Sequence, residues 1–259
     1  MHRTIELALL VFLVPSVALA DRDHRDDLRH GIPLQRRSGT EIAPAVSRNA
    51  LQFTSAASAR APVTATSLTS GITLEAWVRW DGGAGLQAVM YNGNSATSGY
   101  GIYLENGRVR ILAGGVDWAT CTTCALAQGE WIHLAAVRTT TAWFLFQNGV
   151  LQTLDNPTLA AWSPLGRFSI ASSPSGGERL VGAIDEVRVW TEARSPAEIE
   201  RDFTVSLTGQ EPHLVHYYRL DEGRGSLITD VRGTLPVALF GDPNWIASGV
   251  PLAITGPAR

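Results

Sequence analysis

Runs in which apolar and polar residues alternate recur along the chain from residue 50 onward. That period of two marks half-buried strands. Residues 72–80 are the cleanest run. Ile72, Leu74, Ala76 and Val78 fall on one face, and Thr73, Glu75, Trp77 and Arg79 on the other. Two Asn-Gly pairs then predict two-residue hairpin turns and fix register. Around Asn106-Gly107, Glu105 faces Arg108, Leu104 faces Val109, Tyr103 faces Arg110 and Ile102 faces Ile111. The apolar four line the core; Glu105, Arg108, Tyr103 and Arg110 take the open face. A one-residue slip would turn all four apolar groups into water, so the register is firm. Around Asn148-Gly149, Phe146 faces Leu151, with Phe144 on the same side. Phe144 and Phe146 are assigned to the core, and Trp143, Leu145 and Gln152 to the other side. Residues 129–137 are apolar on both faces, as a central sandwich strand can be. Strands are also expected at 50–53, 167–171 and 178–190. Past Trp190 the pattern changes: Ser195 can cap a helix, Pro196 suits its first turn, and Glu198 completes a capping box. The expected fold is all-β, an antiparallel jelly-roll β-sandwich with one short helix after the strand ending at Trp190.

Several of these stretches resemble one family. Ile184-Asp-Glu-Val-Arg-Val-Trp190 is similar to a signature near the end of laminin-G-like, concanavalin A-like jelly rolls. Ala50-Leu-Gln-Phe53, residues 72–78, Gly129-Glu-Trp-Ile-His-Leu-Ala-Ala-Val137 and Phe146-Gln-Asn-Gly149 resemble other strands of that family. Leu214-Val-His-Tyr-Tyr-Arg-Leu-Asp-Glu-Gly223 resembles a segment that accompanies such units. Too little chain follows it for a second stable domain, so it is expected to close the same sandwich. The resemblance covers roughly 49–250 and implies a jelly roll there; the expected division is signal peptide 1–20, flexible leader 21–48, jelly roll 49–250, tail 251–259. Calcium-binding relatives often take a carboxylate from the loop after the opening strand, where this chain has Thr54. Asp185 remains a candidate for a calcium shell of about six to eight oxygens; a turn-bonding Asp is the competing reading.

Residues 1–20 carry Arg3, an apolar stretch from Leu7 to Val17 and an Ala-x-Ala site at Ala18–Ala20. This predicts an export signal too short to span a membrane. The 21–48 stretch is charged and aperiodic. The two cysteines, Cys121 and Cys124, are expected to pair as a disulfide in an oxidising compartment. A redox Cys-x-x-Cys normally opens a helix, and no helical pattern follows here. The net charge of −3 gives no footprint for nucleic acid or an anionic membrane.

Catalytic motifs are scarce. A glycoside hydrolase on this scaffold needs two carboxylates on one strand face, about 5 Å apart for retention. Asp185-Glu186 are adjacent and project to opposite faces unless a bulge intervenes. His133, inside a strand, reads as a structural residue. Aromatic platforms suit sugar recognition. Trp77, Trp131 and Trp190 are assigned to the core; Trp118, Trp162 and Trp245 lie in loop-like stretches, where they either plug the sandwich ends or face a ligand. The binding candidates are Tyr103, Arg110, Trp118, Gln152 and Trp162. The expectation is a secreted, noncatalytic module that binds an extracellular glycan or protein. A degradative carbohydrate-active enzyme and a purely structural envelope module are the rivals.

Overall fold

The computed structural model describes residues 48–67 and 71–253. The expected signal 1–20, nearly all of the leader 21–48 and most of the tail 251–259 lie outside them. The described residues belong to one compact unit.

The first hairpin pairs as its Asn-Gly turn dictates. Strands β5 (Ser98–Glu105) and β6 (Arg108–Ala113) bring Leu104 opposite Val109, Ile102 opposite Ile111 and Tyr103 opposite Arg110. Asn106 takes the left-handed conformation that this tight turn requires. The remaining strands, in chain order, begin with β1 (Asn49–Phe53), β2 (Ser58–Arg60), β3 (Ile72–Trp80) and β4 (Leu86–Asn94). After β6 come β7 (Asp117–Ala125), β8 (Trp131–Arg138), β9 (Trp143–Gln147), β10 (Val150–Gln152), β11 (Arg167–Ile170) and β12 (Gly182–Trp190). Helix α1 (Pro196–Asp202) follows, then β13 (Leu214–Tyr218), β14 (Leu227–Ile228), β15 (Val237–Phe240) and β16 (Asn244–Ala247).

Two antiparallel sheets result. Sheet A runs β10-β9-β8-β3-β12-β1-β16, with β13 also on β12; sheet B runs β14-β15-β2-β11-β4-β5-β6-β7. The expected sandwich is therefore present, and the 214–247 segment closes it by supplying strands to both sheets. Between the sheets lie Ile72, Leu74, Ala76 and Val78 of β3, Ile102 and Leu104 of β5, and Val109 and Ile111 of β6, all fully buried.

The second hairpin keeps its expected register, Phe146 opposite Leu151, but presents the other face. Trp143 and Leu145 enter the core, Phe144 is exposed, and Phe146 is buried on the outer face of sheet A. The cause is α1, which lies against that outer face and packs Ile199 on Ala135, Val137 and Phe146. The helix is capped as expected: Glu198 N–H donates to Ser195 Oγ at 3.3 Å and Ser195 N–H to Glu198 Oε2 at 2.8 Å.

Cys121 and Cys124 form a disulfide, within strand β7 rather than a loop. Arg108 pairs with Ala125 and Arg110 with Thr120, so residues 121–124 stand opposite Val109 alone and bulge. The same stretch seams the two sheets, since Thr122 N–H donates to Thr153 O at 2.9 Å beyond the end of β10.

Candidate functional site

Helix α1 and residues 203–218 cover part of the outer face of sheet A over a buried ionic cluster. Glu75 accepts from Arg194 Nη1 at 2.8 Å, while Arg188 and His133 stand 3.6 Å from its other oxygen. Arg188 donates to Glu186 at 2.8 Å and to the carbonyls of Asp202 and Val205. Arg194 also pairs with Asp202. Burial opposes the Glu75 charge, yet His133, Arg194 and Arg188 together hold its carboxyl down at about 2. Burial lowers His133, which is sandwiched beside Trp77 and Phe203. His133 is thus a structural residue, as the sequence suggested. This cluster fixes the covering segment to the sheet, and a small depression of about 160 Å³ borders it, beside Trp190, Arg194, Asp202 and His213. Trp77 and Trp190 are buried under the same cover, whereas Trp131 is only partly buried.

A bulge does intervene in β12, between Asp185 and Arg188, with Glu186 at φ +52°. Ile184 and Val187 enter the core, so Asp185 and Glu186 share the outer side. Neither is presented to a substrate. Glu186 accepts from Arg188 and, at 2.5 Å, from the Tyr217 hydroxyl. Asp185 accepts from Ser248 Oγ at 2.5 Å and from Glu186 N–H at 2.8 Å. Burial, with Glu186 and Asp221 nearby, raises the Asp185 carboxyl well above its ordinary range. A calcium shell takes about six to eight oxygens around one point, and the acids beside Asp185 have other partners. Glu186 is committed to a cation, Asp221 is tied to Asn49, and no group of three acidic, His or Cys side chains converges among the described residues.

Helix α1 covers only part of sheet A, where Phe144 and Leu151 stay exposed; the aromatic and cationic candidates gather instead on the outer face of sheet B. Alternation sends Tyr91 of β4, Tyr103 of β5, Arg110 and Leu112 of β6, and Trp118 of β7 to that side. Tyr103 meets Tyr91 edge-on at 5.9 Å and Trp118 edge-on at 5.2 Å. The Arg110 guanidinium lies 4.3 Å over the Trp118 ring and is held from behind by Glu105 at 2.7 Å. Tyr91 lies across Gly101, where an added Cβ would come within 2.5 Å of its ring. Two loops wall the face. The β4–β5 tip, residues 94–97, stands on one side, and residues 173–179 on the other. From the second, Glu178 accepts the Tyr103 hydroxyl at 3.2 Å.

Tyr103, Arg110 and Trp118 are thus brought together, but their roles differ from expectation. Tyr103 is fully buried beneath Trp118 and the loops, not open. Burial, reinforced by the Glu178 charge, raises its phenol far above the usual range, so it acts as a neutral floor. Trp118 sits in a strand, half-buried, and it and Arg110 form the accessible surface. Gln152 belongs elsewhere. It lies on the edge of sheet A, where it accepts from Thr123 Oγ1 at 3.0 Å and helps seam β10 to β7. Trp162 stands apart too, in the loop before β11 and 59% exposed. It borders a depression of about 690 Å³ with Thr97, Ser98 and Leu165. Trp245 is in β16, partly buried.

A family model for the concanavalin A-like lectin/glucanase superfamily matches residues 53–200, more than half of the chain. The chain belongs to that superfamily. The concanavalin A-like unit is similar in structure to a candidate carbohydrate-binding protein from Bacteroides ovatus, at 19% identity and a TM-score of 0.64. That alignment covers 81% of this chain and 62% of the other, so the chain spans under two thirds of that relative. It is also similar to the heptameric SAP-like pentraxin of Limulus polyphemus, at 14% identity and a TM-score of 0.52, covering 80% of this chain and 99% of that one. At these identities the likeness speaks for the concanavalin A-like fold alone. No curated protein matches the sequence. Among the described residues no helix is long and apolar enough to cross a membrane.

Proposed function

We propose that this concanavalin A-like chain is an exported, noncatalytic module that binds an extracellular glycan or protein through the outer face of sheet B. One observation carries the reading. α1 and its ionic cluster cover part of one sheet, while the other presents a guanidinium–indole pair on an aromatic floor between two loops. Sugars present both hydroxyls and apolar C–H faces, which suits a half-exposed Trp beside a fixed hydrogen-bond donor. A carbohydrate ligand is preferred because the Bacteroides ovatus protein shares the fold. The noncatalytic part is supported by the state of the acids on this face. Glu105 is paired with Arg110 and Glu178 holds Tyr103, so these two acids do not stand free as a pair. Export is supported by the apolar 7–17 stretch and its Ala-x-Ala site alone.

The test is retention on a glycan array, with Trp118→Ala and Arg110→Ala beside the parent. Each substitution is expected to weaken retention about tenfold, the equivalent of ~1.4 kcal/mol. Equal retention by both variants rejects this face as the binding surface. Release of reducing ends from a retained polysaccharide rejects the noncatalytic reading.

A further inference from the structure

Two arginines beside the aromatic floor have no counter-charge. Arg60 on β2 and Arg167 on β11 project from adjacent strands on the outer side of sheet B: Arg60 pairs with Ser169, two residues from Arg167. Neither forms an ion pair with any described carboxylate, unlike Arg110 on the same face. Arg60 is held in place. Its guanidinium lies 4.3 Å over the Phe240 ring, and the 173–177 turn passes so close that a Cβ on Gly176 would come within 3.1 Å of Nη1. Its Nε is shut off from solvent and donates to no described acceptor. Burial, then the charges of Arg167 and Arg179, lower its pKa. The guanidinium groups therefore repel one another, a cost that a bound anion would relieve.

Between them is a depression of about 480 Å³. Its walls are the two loops that also border the Tyr103 floor: Asn94, Ser95 and Ala96 on one side, Pro174 and Ser175 on the other. Neutral donors thus flank the two cations. The carboxylate on the second loop, Glu178, is already engaged by Tyr103. Next to the depression, across Ala96 and Thr97, stands the exposed Trp162 with its own hollow.

We propose that Arg60 and Arg167 form a site for the anionic group of an acidic saccharide, with Trp162 as the platform for an adjacent ring. The site rests on the glycan-binding reading above and narrows it. Guanidinium groups suit planar or tetrahedral oxyanions because two parallel N–H donors match two oxygens. A carboxylate and a sulfate would both satisfy that geometry, and the probes separate them.

The full chain is titrated calorimetrically with trigalacturonate, with a sulfated dextran oligomer and with neutral maltotriose, at low and at physiological salt. Binding of one acidic probe is expected, weakening as salt rises. Arg167→Gln should lower that affinity about tenfold, Arg60→Gln at least as much, and Trp162→Ala several-fold. Arg167 is exposed, so its substitution should leave the melting temperature unchanged and separates loss of binding from loss of fold. Preference for trigalacturonate assigns a carboxylate, and preference for the sulfated oligomer a sulfate. The proposal is overturned if maltotriose binds as well as the acidic probes, or if Arg167→Gln leaves their affinity intact. Failure of all three probes, alongside retention of some neutral glycan on the array, overturns this site but spares the broader reading. No retention of any sugar overturns both.

Discussion

A carboxylate at a polar position of an alternating strand reads as solvent-facing, and Glu75 is the opposite. It is fully buried among Arg194, Arg188 and His133. Removing one partner from such a cluster leaves the others charged and unpaired in the interior, which costs about 3 kcal/mol or more. Glu75→Gln should therefore lower stability by about that much, read from denaturant unfolding at neutral pH. Its pH dependence follows from the lowered carboxyl, about 2 against an ordinary 4.5. The unfolded chain takes up the proton first as pH falls. The Glu75 contribution is thus complete above the ordinary carboxylate range and is lost as pH drops toward 2. The parent should lose stability over that window more steeply than Glu75→Gln; parallel curves would mean the cluster does not hold the charge as described.

Asn-Gly turns fixed the pairing of both hairpins, but only one of the two faces was readable. In β5–β6 one side carries Ile, Leu and Val and the other Glu, Arg and Tyr, so burial has a single solution. In β9–β10 both sides are apolar: Trp143 and Leu145 against Phe144 and Phe146. The choice is made by α1, some fifty residues later in the chain, whose Ile199 covers Phe146. The difference is measurable by truncation. Phe146→Ala should cost about 3 kcal/mol, as for a buried aromatic. Phe144→Ala should cost less than about 1 kcal/mol, because its ring is already exposed. Equal costs would contradict the assigned faces. The same logic explains the site. Tyr103, Arg110 and Trp118 converge because consecutive strands β5, β6 and β7 are neighbours in sheet B. Alternation puts Gln152 on an open face as well, yet β10 lies in the other sheet. Arg60 and Arg167 escaped notice because β2 and β11 pair across a separation of about a hundred residues, which no local pattern encodes.

At the scale of the molecule, both sheets are completed from the C-terminal side. The superfamily match ends at residue 200, but β13 covers part of β12, β16 pairs with β1, and β14–β15 extend β2. A chain ending at residue 212 would keep the matched region and lose those four strands. It would bare hydrogen-bonding edges on β1, β2 and β12, which invite aggregation. Such a chain is expected to be insoluble or to melt without a cooperative transition, whereas the full chain should unfold in one step. A soluble, sharply melting 1–212 fragment would show that the last strands are an appendage.

The position of β1 has a consequence for synthesis. It lies between β12 and β16, antiparallel to both, and makes no strand pair with any described residue before 182. As the polypeptide emerges from the ribosome, the first strand of the sandwich must wait, unzipped on either edge, until most of the sandwich has been made. Pairings this distant make assembly slow, and sheet A reaches its full width only when the residues at 244–247 arrive.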